Sequence, residues 1–144
     1  MDKSICSKIF QEIDRGKLDK FKLLDKINLH KCFRNGRNPL HEACFQGEYS
    51  IVKTLLDMGF DPNERDEEGN LPIHLAFCNG NYEVVKLLIE RGADPNMRDI
   101  NGLTLLHKAY YLGLESLIDF IVRNGGKMDV LDSFGRRPYE YKRS

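Results

Sequence analysis

Gly69 to Asn101 reads GNLPIHLAFCNGNYEVVKLLIERGADPNMRDIN, and the chain carries this text in three versions. Moved back by 33 residues it falls on GRNPLHEACFQGEYSIVKTLLDMGFDPNERDEE, Gly36 to Glu68. Moved forward by the same step it falls on GLTLLHKAYYLGLESLIDFIVRNGGKMDVLDSF, Gly102 to Phe134. One glycine series runs Gly36, Gly69, Gly102 and Gly135; others run Gly47, Gly80, Gly113 and Gly59, Gly92, Gly125. Histidine recurs at His41, His74 and His107. A fixed period of this size marks a stacked array, in which each unit buries its apolar side only against its neighbours.

Each unit reads as a helix, a reversal, a second helix and an extended finger. Asn38 before Pro39 supplies both a capping side chain and a proline pre-set for the first helical turn. Leu71-Pro72 keeps only the proline and Thr104-Leu105 only the cap. Leu40, Ile73 and Leu106, with Ala43, Ala76 and Ala109, define an inward face on the first helices. The second helices carry the apolar contacts between units: Ile51, Val52, Leu55 and Leu56, then Val84, Val85, Leu87, Leu88 and Ile89, then Leu117, Ile118, Phe120, Ile121 and Val122. Gly59, Gly92 and Gly125 end them in the left-handed conformation. Lys127-Met128-Asp129 replaces the Asp-Pro-Asn of the other two units, so the third finger is expected to be looser.

These residues resemble the ankyrin family. Its pattern of Asp-x-x-Gly, Thr-Pro-Leu-His-x-Ala, a glycine after the first helix and Gly-Ala-Asp-x-Asn after the second is met most fully from Asp66 to Asn96. The resemblance implies an all-α ankyrin-repeat solenoid of stacked helix-turn-helix units with β-hairpin-like finger loops. It also implies a single domain over 1–144: an N-terminal capping repeat at 1–35, repeats at 36–68, 69–101 and 102–134, and a partial C-terminal cap at 135–144. In the first cap Ile5, Ile9, Phe10 and Ile13 make one helical stripe. Gly16 then turns the chain into a second helix marked by Leu18, Phe21, Leu24 and Ile27. At the far end Pro138, Tyr139 and Tyr141 are expected to cover the third repeat.

Lys plus Arg is 22 and Asp plus Glu is 22, which leaves no global basic field to gather nucleic acid or membrane. The opening MDKSICSKIFQEIDRGK lacks the apolar core of a secretory signal, and no stretch approaches a membrane span. The expectation is a soluble, cytoplasmic protein, monomeric on its own, or one delivered into a host cell if it is an effector. Cys6, Cys32, Cys44 and Cys78 lack CxxC spacing, so reduced thiols are expected, with Cys44 and Cys78 as small apolar filler.

No catalytic, cofactor-binding or metal-binding residue is expected. Packed helices stand about 8–10 Å apart, whereas metal ligands lie within about 2.3 Å of one ion, so His41, His74 and His107 cannot share a metal. The family resemblance assigns each imidazole a bond to backbone and to the capping side chain of its own repeat, a partner that His74 lacks because Leu71 precedes it. The slot shared by Cys44, Phe77 and Tyr110 reads as packing rather than as a nucleophile. Asp61, Glu64, Asp66, Glu67 and Glu68 cluster without the order of a calcium loop.

The same resemblance places partners on the concave side, along the fingertips and the ends of the first helices. Carried onto this chain, the positions are Arg34, Arg37, Phe45, Arg65, Glu67, Glu68, Arg98, Ile100, Leu103, Tyr111, Leu112, Phe134 and Arg136. The set is apolar toward the C-terminal end, where a clustered exposed patch marks an interaction site. Arginines and aromatics, the types enriched at binding hot spots, recur in it. The expectation is a non-catalytic module that binds, and blocks or sequesters, a protein partner, with Tyr111 and Leu112 as anchors and Arg65 and Arg98 as charged neighbours. It would serve as an adaptor, an effector, or an inhibitor or immunity protein. The alternatives are nucleic-acid binding through a basic fingertip stripe, which Glu67 and Glu68 interrupt, and a thiol- or metal-dependent enzyme.

Overall fold

The helix starts follow from three-residue signals. Asn38 Oδ1 accepts the His41 N–H at 2.9 Å, and His41 Nδ1 accepts the Asn38 N–H at 3.1 Å. Thr104 and His107 repeat the arrangement, so histidine takes the place of the glutamate in a reciprocal cap. Leu71 offers no side-chain cap, and that helix begins on Pro72 alone. The computed structural model describes residues 3–18 and 29–141. Over these the elements are α1 (Lys3–Asp14), a 3-10 turn (Leu29–Lys31), α2 (Pro39–Gln46), α3 (Tyr49–Asp57), α4 (Pro72–Cys78), α5 (Tyr82–Glu90), α6 (Leu105–Leu112), α7 (Glu115–Arg123) and a closing 3-10 turn (Pro138–Tyr141). The second helix expected through Phe21, Leu24 and Ile27 falls outside the described residues.

The helices pair as hairpins α2–α3, α4–α5 and α6–α7, stacked with α3, α5 and α7 on one side. Leu40, Ala43, Ala76 and Ala109 are fully buried, as are Leu55, Leu88 and Ile121 in the second helices. α1 packs on α2, and the closing turn packs on α6. The fold is all-α, with no strand among the described residues. The fingers are turns closed like hairpins: Asp66 N–H to the Asn70 carbonyl, Asp99 N–H to Leu103 and Asp132 N–H to Arg136, at 2.8–2.9 Å. Among the described residues no helix is long and apolar enough to cross a membrane.

Successive fingers are tied by side chains that reach forward one repeat. Asn63 Nδ2 donates to the Gly92 carbonyl at 3.0 Å, and Asn96 Nδ2 donates to Gly125 at 2.9 Å. Arg65 donates to the Arg98 carbonyl at 3.1 Å, and Arg98 donates to Leu131 at 2.7 Å. The third finger is not the loose one expected. Its Lys127 N–H donates to Asn96 Oδ1 at 2.8 Å, and half-buried Met128 receives the Tyr110 hydroxyl.

Three readings of the ends and thiols need correction. Cys6 and Cys32, 26 positions apart in sequence, form a disulfide with Cα atoms 5.2 Å apart, which joins α1 to the residue that follows the first 3-10 turn. Cys44 is buried filler as expected, but Cys78 is exposed at the end of α4. At the C-terminal cap Pro138 is buried and Tyr141 half-buried, whereas Tyr139 points to solvent. The Tyr141 hydroxyl donates to the Asp132 carboxylate, and its ring meets His107 edge-on at 5.7 Å.

Candidate functional site: a cleft between the second and third hairpins

The two seams between first helices are not alike. α2 and α4 pack closely along their length, whereas the backbones of α4 and α6 stand farther apart. Side-chain volume and hydrogen bonding account for this. The slot facing α4 from α2 holds Cys44, small and fully buried; the same slot one repeat later holds Phe77. At the tight seam Asn79 Nδ2 donates to the Phe45 carbonyl at 2.7 Å, and Asn81 Nδ2 donates to Cys44 and Phe45 at 3.2 Å. Asn81 lies so close over Gly47 that a Cβ there would come within 2.6 Å of it. One repeat on, these asparagines become Leu112 and Leu114, which donate nothing. Gly80, the counterpart of Gly47, has nothing within 4 Å of the same position. The fingertips stay in register across this seam, with Gly69 against Ile100 and Arg65 tied to the Arg98 carbonyl.

What opens is a cleft of about 610 Å³ at the first-helix ends. Its walls include Phe77, Tyr82, Ile100, Leu103, Tyr111, Leu112, Phe134 and Tyr141. Phe134, Tyr111 and Ile100 are 76%, 62% and 60% exposed, and Leu112 39%. The charges in the wall are Lys108 and Asp99, paired at 3.2 Å, with the ammonium 5.0 Å from the Phe77 ring centre. Burial pushes the Lys108 pKa down against the pull of Asp99. Burial works to raise Asp99, but the Leu103 N–H, Lys108 and the Asn101 N–H outweigh it and hold the carboxyl below its usual range. His74 also lines the cleft, 4% exposed, with neither ring nitrogen hydrogen-bonded. Burial lowers its pKa to about 4; the Met97 carbonyl pulls the other way without meeting hydrogen-bond geometry.

Of the positions singled out in the sequence, Ile100, Leu103, Tyr111, Leu112 and Phe134 converge on this cleft. The others do not line it. Arg34 is held by Asp14 in two 2.8 Å bonds and by Glu42 at 3.2 Å, over the Phe10 ring. Arg37 pairs with Glu42 and Asp66 and stacks on Phe45. The guanidinium groups of Arg65 and Arg98 serve finger carbonyls, and Arg136 lies over Tyr141. Glu67 and Glu68 are exposed fingertip residues. Sequence reasoning missed Phe77, Tyr82 and the Lys108–Asp99 pair, and it read Cys78 as filler and Tyr141 as a cap rather than as walls of this cleft. The signal was present: bulk at Phe77 where Cys44 stands, and leucine at 112 and 114 where asparagine stands at 79 and 81. Among the described residues no group of His, Cys, Asp and Glu is arranged to hold a metal ion.

The stacked hairpins, the capping histidines and the finger turns define a repeat protein, and the chain belongs to the ankyrin-repeat family. The family described as "Ankyrin repeats (3 copies)" matches residues 9–99, and "Ankyrin repeats (many copies)" matches 79–120. Among solved structures, the ankyrin repeat domain of Bcl-3, described as a unique member of the IkappaB protein family, is similar with a TM-score of 0.71 and 30% identity. The match covers 76% of this chain and 49% of that one, so the chain spans about half the length of this relative. No curated protein matches the sequence. Ankyrin repeats are in general protein–protein interaction modules without catalysis of their own.

Proposed function

We propose that the chain binds a protein partner on the side bearing the fingertips and first-helix ends, and blocks or sequesters it. The observation that carries this reading is the convergence of Ile100, Leu103, Tyr111, Leu112 and Phe134 on one depression, Leu103 half-buried and the other four still exposed to water. Large apolar side chains left in solvent as a contiguous group are costly unless something covers them. Tyr111 and Leu112 are the anchors. Arg65 and Arg98 support the fingers on which Ile100 and Phe134 sit, rather than acting as free charges. The chain acts by covering its partner, in the manner of an inhibitor, an immunity protein or a delivered effector. The nucleic-acid reading is weakened because Arg34, Arg37, Arg65 and Arg98 are already engaged by carboxylates or carbonyls.

The test is capture of the partner from the native source by wild-type protein, followed by affinity measurement with Tyr111→Ala/Leu112→Ala. The double substitution should weaken binding by at least about 2 kcal/mol with an unchanged circular dichroism spectrum. Undiminished binding would move the site off this surface.

A further inference from the structure

We infer that the cleft between α4 and α6 is an insertion slot that takes one uncharged aromatic side chain, tyrosine or tryptophan, from the protein partner. This deepens the protein-binding reading and rests on it, but it makes a separate claim. A surface patch would be covered from outside, whereas a slot admits a side chain between two helices of the stack.

Three observations converge. The seam is opened by residue choice: Phe77, Leu112 and Leu114 replace the Cys44, Asn79 and Asn81 that close its neighbour, while the fingertips on either side remain tied. The resulting space of about 610 Å³ lies within the range of pockets that bury small ligands, and so can admit a large side chain. Its electrostatics select the occupant. Lys108 and Asp99 neutralise each other at 3.2 Å, so a carboxylate or ammonium entering here would lose hydration without an unpaired counter-charge to meet. Aromatic walls at Phe77, Tyr82 and Tyr111 favour a ring. His74, neutral and without a hydrogen-bond partner, provides a polar point that an indole N–H or phenol O–H can satisfy and a phenyl ring cannot.

The experiment uses small probes on the whole chain. Indole, 4-methylphenol and benzoate are titrated separately while backbone amide NMR signals are followed. Indole and 4-methylphenol should bind in the millimolar range, shifting signals of residues 74–82 and 103–112, and benzoate should bind at least tenfold more weakly. A variant that restores the tight seam, Phe77→Cys with Leu114→Asn, should bind indole at least tenfold more weakly. Leu103→Trp, which fills the slot from within, provides the same readout should the first variant fail to fold. Equal binding of indole by a folded closed-seam or filled variant, shifts centred elsewhere, or equal binding of benzoate would each overturn the slot. Those results leave the surface reading untouched, since that reading stands or falls on Tyr111→Ala/Leu112→Ala.

Discussion

His41 holds two elements together: its Nδ1 accepts the Asn38 N–H, and its Nε2 meets the Glu64 carbonyl at 2.8 Å. His74 occupies the same slot one repeat later and makes neither bond. Replacing His41 with leucine orphans buried backbone groups, so His41→Leu should cost about 2 kcal/mol in urea unfolding. His74→Leu should stay within about 1 kcal/mol, because an apolar side chain replaces a buried polar group that has no partner. The pH dependence separates them further. With a folded pKa near 4 against an ordinary 6.5, the unfolded chain binds the proton first. The stability tied to neutral His74 is therefore complete above about pH 6.5 and is lost as pH falls toward 4, about 3 kcal/mol in all. Thermal midpoints should drop across that window in wild type and drop less in His74→Leu; identical slopes would refute the assignment. His41, also lowered by burial, acts in the same direction. Asp14, held at about 2 chiefly by Arg34 and Gln46, acts in a lower window, below its ordinary 3.8. The identity of the capping residue was legible at each histidine. Whether the ring nitrogens would find partners was not, since that depends on the finger of the same repeat.

At the level of elements, α5 is the middle of the stack and α7 its end. Leu88 is fully buried in α5, between α3 and α7. Leu88→Ala should cost about 2–5 kcal/mol and lower the unfolding midpoint of the whole array in one step. Val122 fills the corresponding outer position of α7 that Ile89 fills in α5, yet is 39% exposed against 8%. Val122→Ala should therefore cost under about 1 kcal/mol. Equal losses at the two sites would mean that the end of the stack is covered as well as its middle. The helices, their glycine ends and the caps at Asn38 and Thr104 were readable because each is set by residues within one turn. The unequal seams were written in the sequence too, but the separation of α4 and α6 is a distance between units, and it needs coordinates.

For the whole molecule, the disulfide changes how the N-terminal unit is fastened. The Cys6–Cys32 bond, the paired Arg34–Asp14 contacts and the Ile9, Phe10 and Ile13 stripe all join α1 to the body. Cys6→Ser with Cys32→Ser should lower stability by about 2–4 kcal/mol. Alkylation of denatured, non-reduced protein should label two cysteines, Cys44 and Cys78; four labels would show the pair reduced. Such a bond is favoured by an oxidising environment and opposes the cytoplasmic expectation drawn from the sequence. The sequence offered no pairing signal, because a separation of 26 positions hides a proximity that the packing of α1 against the body creates.

The amino-acid sequence by itself determined the repeat, its period, the order of helix, reversal, helix and finger, and the family. All of these are local patterns that recur, and recurrence makes them visible without coordinates. Tertiary structure alone decided which seam opens, which arginines are already engaged, which cysteines meet and which aromatic side chains gather around one space. Each of those outcomes depends on distances between neighbouring units, and the bulk of a side chain in one repeat sets the room left to the next.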